Sequence, residues 1–280
     1  MLLQSMSRIP PGEPTRVLPD EATWGEMAET LAAAGFALVY ARVSDWIDGE
    51  LDPGRAGRLL GPEAARYLEI GDARSRARFA ASRAVLRRAA STVAGGDPEQ
   101  FEIARQPNGR PYLRGCDQFD VSISHTGAIV VAGVSRLGSI GVDVESASRR
   151  VLGPELAERA CTDEERARLA ALPPAERDRA MIQLWTLKEA YSKALGVGLR
   201  LPFRTFGFEI EPDGLSARLI RSAAEDCANE EWVLQIHDVE GRYAVGLAVS
   251  ASAFDGTRDL LGDTMLDAGL TGAVLANLEG

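Results

Sequence analysis

The chain has 280 residues, 45% of them hydrophobic and 26% charged, and a net charge of −10. That length and composition suit one large or two smaller globular domains, and the acidic balance argues against a nucleic-acid binder, whose affinity rests on neutralising phosphates with Lys and Arg. No apolar run, Ala128 to Val134 among them, is long enough to cross a membrane and the start carries no signal-peptide pattern, so a cytoplasmic location with no membrane partner is expected.

In chain order, Met1 to Asp20 carries four prolines and no periodic pattern, and reads as an extended arm. Ala37 to Val43 is expected to be a strand, and the Ala- and Arg-rich stretch Asp72 to Ala90 a helix. Gln106-Pro107-Asn108-Gly109-Arg110-Pro111 is a turn. Strands are expected over Phe119–Ser124 and Ile129–Ser135, joined by a bend at His125-Thr126-Gly127, and over Ile140–Glu145. Thr162-x-x-Glu165 has the form of a capping box opening a helix towards Ala171, and Pro173 and Pro174 precede a second helix ended by Gly196 and Gly198. Strands over Phe206–Ile210, Ala217–Ile220, Trp232–Val239 and Tyr243–Val249 follow, the last two forming a hairpin about Glu240-Gly241. This is an α+β pattern repeated in outline. It gives an N-terminal extension over 1–34, an N-terminal half over 35–137, a C-terminal half over 138–254 and a tail over 255–280. Cys116, Cys161 and Cys227 lie too far apart for a zinc site or a disulfide framework.

Two motifs carry chemistry. In Ile140-Gly141-Val142-Asp143-Val144-Glu145 the strand period points Asp143 and Glu145 the same way, opposite Val142 and Val144. On a helical wheel, Leu184, Leu187, Tyr191, Ala194 and Leu195 form one side, and Trp185, Glu189 and Lys193 the other. If strand and helix meet, Asp143, Glu145 and Glu189 offer only oxygen to a hard divalent cation, with Lys193 one turn beyond Glu189. Taken singly, Asp-x-Glu also reads as a solvated sheet face, and Glu189 with Lys193 as an ordinary surface pair. Seven arginines lie from Arg66 to Arg88, with Arg105, Arg110 and Arg114 beyond them, a cationic region in an acidic chain. Arginine suits bidentate phosphate contacts, so a polyanionic ligand and a solvated helix face both remain open.

In order and spacing, Gly109-Arg110-Pro111, Val121-Ser122-Ile123-Ser124-His125-Thr126, Gly141 to Glu145, and Trp185 to Lys193 with Gly196-Val197-Gly198-Leu199 resemble the motifs of the 4′-phosphopantetheinyl transferases. The resemblance is to the Sfp-like branch, over roughly Val39 to Ser250. It implies a pseudodimer of two similar α+β halves in one monomeric chain. It also implies Mg²⁺-dependent transfer of 4′-phosphopantetheine from coenzyme A to a serine of an apo acyl or peptidyl carrier protein, releasing adenosine 3′,5′-bisphosphate. Carried over by position, it places Mg²⁺ on Asp143, Glu145 and Glu189 and the coenzyme A phosphates on Lys193. It makes Glu189, Lys193 and Asp143 catalytic, with Glu189 as candidate general base. Ser124, His125 and Arg110 would line the coenzyme A pocket, and Arg66, Arg78 and Arg105 would meet its nucleotide phosphates. Two positions depart from the family pattern: Ser122 stands where Asn is common, and Ala160-Cys161 where paired Phe is common. A non-catalytic binder of coenzyme A or carriers and a nucleotide-pyrophosphate hydrolase are the other readings, and His237 is expected to be structural.

Overall fold

Two sheets built mainly of antiparallel pairs face each other across an apolar layer, and a long helix covers the outer face of each. The computed structural model describes residues 12–20, 22–106, 109–148, 154–197, 201–221 and 232–250. Strand β1 (Thr15–Arg16) leads through α1 (Trp24–Ala34) to β2 (Phe36–Arg42). Three short helices follow, α2 (Val43–Trp46), α3 (Pro53–Leu60) and α4 (Ala64–Glu69), and then the long α5 (Ala73–Ala94). The half closes with the hairpin β3 (Ile103–Arg105) and β4 (Pro111–Leu113), then β5 (Asp120–Thr126) and β6 (Ile129–Ser135). The second half starts with β7 (Ile140–Ser146), crosses α6 (Pro154–Ala160) and α7 (Asp163–Ala171), and reaches the long α8 (Pro174–Ala194). It ends with β8 (Gly207–Ile210), β9 (Ala217–Arg221), β10 (Trp232–Val239) and β11 (Tyr243–Ser250).

The fold class is α+β, and the topology repeats. In the first sheet the order is β1-β2-β6-β5; in the second it is β10-β11-β7, so β2, β6 and β5 correspond to β7, β11 and β10. Each half carries a small hairpin, β3-β4 or β8-β9, between its long helix and its last two strands. Phe36, Leu38, Ile129 and Val131 from one sheet meet Ile140, Val142, Val144 and Val245 from the other. Residues 15–34, expected as part of an extension, instead belong to the first unit. Val17, Trp24, Met27 and Leu31 are in its core, and Thr15 and Arg16 pair in parallel with Val39 and Tyr40. Helices α1 to α4 and α6 and strands β3 and β4 were not foreseen, because most are too short for an apolar period to show. The expected tail over 255–280 and Gly198 lie outside the described residues.

The expected helix starts and stops hold where they can be followed. Thr162 and Glu165 form the reciprocal capping box of α7, Pro174 opens α8, and Gly196 with φ 71° follows its end. Helix α8 lies on β7 and β11 with no side chain between backbones. A Cβ on Gly141 would sit 1.8 Å from the carbonyl oxygen of Ala190, and one on Gly246 2.4 Å from that of Thr186. Those glycines let the Glu189 helix approach the Asp143 strand. Gly141→Ala is therefore expected to destabilise the fold by about 3 kcal/mol or more, at the upper end of overpacking costs, because the clash is with backbone. Urea unfolding midpoints measure it, and a midpoint equal to wild type would refute the packing argument.

Candidate active site

The strand alternation of β7 turns Ile140, Val142 and Val144 into the layer between the sheets and leaves Gly141, Asp143 and Glu145 on the α8 side. From α8, Lys193 Nζ reaches three groups at once: Asp143 Oδ1 at 2.7 Å, the Val142 carbonyl at 3.0 Å and Ser124 Oγ at 3.1 Å. Ser124 Oγ, on β5, also donates to Asp143 Oδ1 at 2.8 Å. One residue from each of β5, β7 and α8 thus meets at one point, where the two halves join.

Glu189, one turn before Lys193, is half-buried. Its carboxyl is pushed up to about 7, first by burial and then by the negative charges of Asp143 and Glu145, with Lys193 opposing. Such a carboxyl exchanges a proton near neutral pH. The three carboxylates are therefore electrostatic neighbours, and their all-oxygen donor set and mutual repulsion fit a divalent cation such as Mg²⁺. As the side chains stand, Lys193 supplies the positive charge beside Asp143. Among the described residues, no three His, Cys, Asp or Glu side chains converge closely enough to ligate one ion.

The arginines divide into two groups. Arg87 donates to the Leu59 carbonyl at 2.8 Å, and Arg76 to the Ile70 carbonyl at 2.7 Å and to Glu50, so both serve packing. Arg83 forms a buried fork on Glu63 at 2.9 and 3.0 Å and stacks 4.1 Å over Phe79. Arg105 lies 3.6 Å from Glu63, and its pKa is lowered by burial and then by the charges of Arg83 and Arg66. Two guanidinium groups thus share one carboxylate, with the charge of Arg66 felt at Arg105, an excess of cation that favours an added anion. Arg78 is half-buried beside them, donating to Ser75 Oγ at 2.8 Å.

His125 bridges the two clusters. It lies on β5, which runs on to Thr126, so the turn falls at Gly127 and not at His125 as expected. The ring keeps contact with solvent. Its pKa is lowered first by desolvation, and further by the charges of Arg78, Arg83 and Lys193. Its imidazole therefore feels both the arginine cluster and the ammonium of Lys193.

Other expected residues stand differently. Arg110, expected in a ligand pocket, is turned inward onto Asp120 and donates to the Ile140 carbonyl at 2.8 Å. Trp185, placed by the wheel with Glu189, is half-buried and packs on Phe203 with ring centroids 5.3 Å apart. Ser122, in the position where Asn was noted as common, accepts the Val142 N–H at 3.0 Å, and Cys161 Sγ sits 3.5 Å from the sulfur of Met181. Sequence reasoning missed Lys188, wholly buried against Glu165 at 2.8 Å. It also missed Asp120.

His237 is structural, as expected. It is 5% exposed, its Nε2 has no partner among the described residues, and burial holds its pKa down at about 4. The fold favours the neutral ring, so this contribution to stability is complete above about 6.5 and is lost as pH falls through about 4. His237→Gln should flatten the acid side of the stability curve by ~2–3 kcal/mol. Urea midpoints above and below this window measure the difference, and parallel curves for the two proteins would refute it.

A duplicated α+β unit with a carboxylate strand, a Glu-and-Lys helix and a cationic cluster near the junction is an arrangement whose chemistry suits a phosphorylated ligand. Residues 139–248 match the family described as the 4′-phosphopantetheinyl transferase superfamily. A 4′-phosphopantetheinyl transferase of Bacillus subtilis is 28% identical over 54% of this chain and 69% of its own length. The 4′-phosphopantetheinyl transferase HetI of Nostoc is 30% identical over 51% and 62%. A phosphopantetheinyl transferase of Thraustochytrium is 27% identical over 77% and 78%, an alignment that reaches beyond the C-terminal half. The chain thus spans 62% of the length of HetI. Its C-terminal half is thus similar to this superfamily of enzymes, and Sfp-like Bacillus proteins are among the relatives that the chain resembles. No helix among the described residues is long and apolar enough to cross a membrane.

Proposed function

We propose that this protein transfers 4′-phosphopantetheine from coenzyme A to a serine hydroxyl of an apo acyl or peptidyl carrier protein, with Mg²⁺ as cofactor. The observation that carries the reading is the meeting of Lys193, Ser124 and Asp143 beside a Glu189 whose carboxyl is raised to about 7. In the reaction the serine oxygen attacks the β-phosphorus of coenzyme A. The bond to the adenosine 3′,5′-bisphosphate oxygen breaks, and the serine proton must be taken up. Glu189 is the group placed and tuned to accept that proton at neutral pH. Lys193 offsets charge that builds on the pyrophosphate as the bond breaks. Asp143, Glu145 and Glu189 would hold Mg²⁺, which when bound neutralises phosphate charge and orients the oxygens.

Arg66, Arg78 and Arg105, joined by Arg83, form a cationic cluster whose charge suits the nucleotide phosphates. Ser124 and His125 would line the coenzyme A pocket. Because one chain holds both halves, a monomer suffices, and the net charge of −10 gives no support to a nucleic-acid partner. The test is intact-mass measurement of a panel of apo acyl and peptidyl carrier proteins incubated with coenzyme A, Mg²⁺ and this protein. One carrier should gain the mass of the phosphopantetheinyl arm with release of the bisphosphate. Nucleotide release without a carrier would favour a hydrolase, and coenzyme A binding with no transfer to any carrier a non-catalytic binder.

A further inference from the structure

Strand β5 alternates Val121 and Ile123, facing the first core, with Asp120, Ser122 and Ser124, facing β7. The second set acts on β7 much as a neighbouring strand would. Asp120 Oδ2 accepts the Ile140 N–H at 2.8 Å, Ser122 Oγ accepts the Val142 N–H at 3.0 Å, and Ser124 Oγ donates to Asp143. Side chains two residues apart therefore satisfy amides two residues apart, which fixes the register between the halves.

Arg110 extends this row to the catalytic helix. Its Nη2 donates to the Ile140 carbonyl at 2.8 Å and pairs with Asp120, while Nη1 points at the Ala194 carbonyl at 3.4 Å. Ala194 is the last residue of α8 and follows Lys193 directly. A helix C-terminus leaves carbonyls without intrahelical partners and favours a cation, so this end of α8 is a stable place for a guanidinium. The rigid fork of arginine spans three elements, where the point charge of lysine could not. The side chain of Arg110 is 14% exposed, and reaching a ligand phosphate would mean breaking its pair with Asp120.

We propose that Arg110 and Asp120 form a positioning clasp that holds the Asp143 strand and the Lys193 end of α8 in register. The consequence for chemistry rests on the transferase reading above. Lys193 meets Asp143, Val142 and Ser124 together, and a shift of about 1 Å at the helix end would separate them, a displacement that can lower a rate about a hundredfold.

The experiment compares Arg110→Ala, Asp120→Asn and the double variant with wild type. It measures initial rates of transfer to an apo carrier against coenzyme A concentration, coenzyme A affinity by calorimetry, and hydrogen exchange in the segment 190–197. Each single variant should lose about tenfold to a hundredfold in kcat with the Kd for coenzyme A within about twofold, and the segment should exchange faster. The double variant should be no worse than the poorer single one, since both remove the same device. A tenfold or greater rise in Kd with kcat retained would make Arg110 a ligand contact and overturn the proposal, as would additive losses or unchanged kcat. If Arg110→Ala does not fold, the near-isosteric Asp120→Asn decides by the same criteria. If wild type transfers to no carrier, the transferase reading falls. The exchange comparison then still judges the clasp, because unchanged exchange in segment 190–197 overturns it.

Discussion

Glu189→Gln should fold as wild type and lower kcat for transfer by about 10²–10⁴-fold, the range contributed by a positioned general base. The substitution keeps the size and hydrogen-bonding outline of the side chain, removes its negative charge and removes its ability to take up a proton. Glu189 is half-buried beside Asp143 and Glu145, and these surroundings raise its carboxyl to about 7. Relieving that crowding should leave the metal-free protein no less stable than wild type, so a loss of rate could not be blamed on unfolding. Sign matters here. A carboxyl whose pKa is raised by folding destabilises the fold progressively as pH rises from 4.5 through about 7, and Gln cannot do so. Asp143→Ala tests the other side of the site, because it removes the acceptor shared by Ser124 Oγ and Lys193 Nζ. Both variants are read by the appearance of holo carrier in intact-mass spectra alongside urea midpoints. Full transfer by folded Glu189→Gln would remove Glu189 from the mechanism.

The sequence made the site legible where local periodicity decides geometry. The strand period placed Asp143 and Glu145 opposite Val142 and Val144, and the wheel placed Glu189 and Lys193 off the buried stripe of Leu187 and Tyr191, as the structure has them. Two of the six strands after Gly127 have exactly the bounds expected: Ile129–Ser135 and Trp232–Val239. The wheel was a poorer guide to Trp185, because an amphipathic indole can lie half-buried on Phe203 from the flank of the helix. The orientation of Arg110 was illegible for a different reason. A turn motif gives the position of a residue in the chain, and nothing local tells whether its guanidinium turns outward to a ligand or inward to Asp120, ten residues on. The arginine cluster was similarly undivided in the sequence. Composition showed a concentration of charge, whereas its division into packing residues such as Arg87 and rim residues such as Arg105 depends on contacts with Leu59 and Glu63.

Lys188→Met should cost about 3–5 kcal/mol of stability, the range for removing one member of a buried ion pair. Lys188 is wholly buried and Glu165 is 2% exposed. The ammonium has three donors, and all three are used: on Glu165 at 2.8 Å, on the Phe203 carbonyl at 2.8 Å and on the Phe206 carbonyl at 2.7 Å. Glu165 in turn accepts the N–H groups of Thr162 at 2.8 Å and Phe208 at 2.9 Å, so one carboxylate caps α7, anchors β8 and faces α8. Methionine fills the space of the aliphatic stem but leaves a buried carboxylate without its cation and two carbonyls without donors. The sequence held half of this arrangement, since the Thr162-Glu165 capping box is a local pattern. Lys188 sits four residues after Leu184 and three before Tyr191, on the apolar stripe of the wheel, where a cation has to find an internal partner. The thermal midpoint of Lys188→Met is expected to fall by roughly 6–12 °C, whereas Glu165→Gln with Lys188→Met should lose less than the two single variants added together, because the double change leaves no charge uncompensated. An additive result would mean that the two residues stabilise α7 and α8 independently. Since Lys188 immediately precedes Glu189, folded Lys188→Met protein at low temperature should also transfer more slowly than wild type, the backbone of the catalytic helix having lost its tie to Phe203 and Phe206.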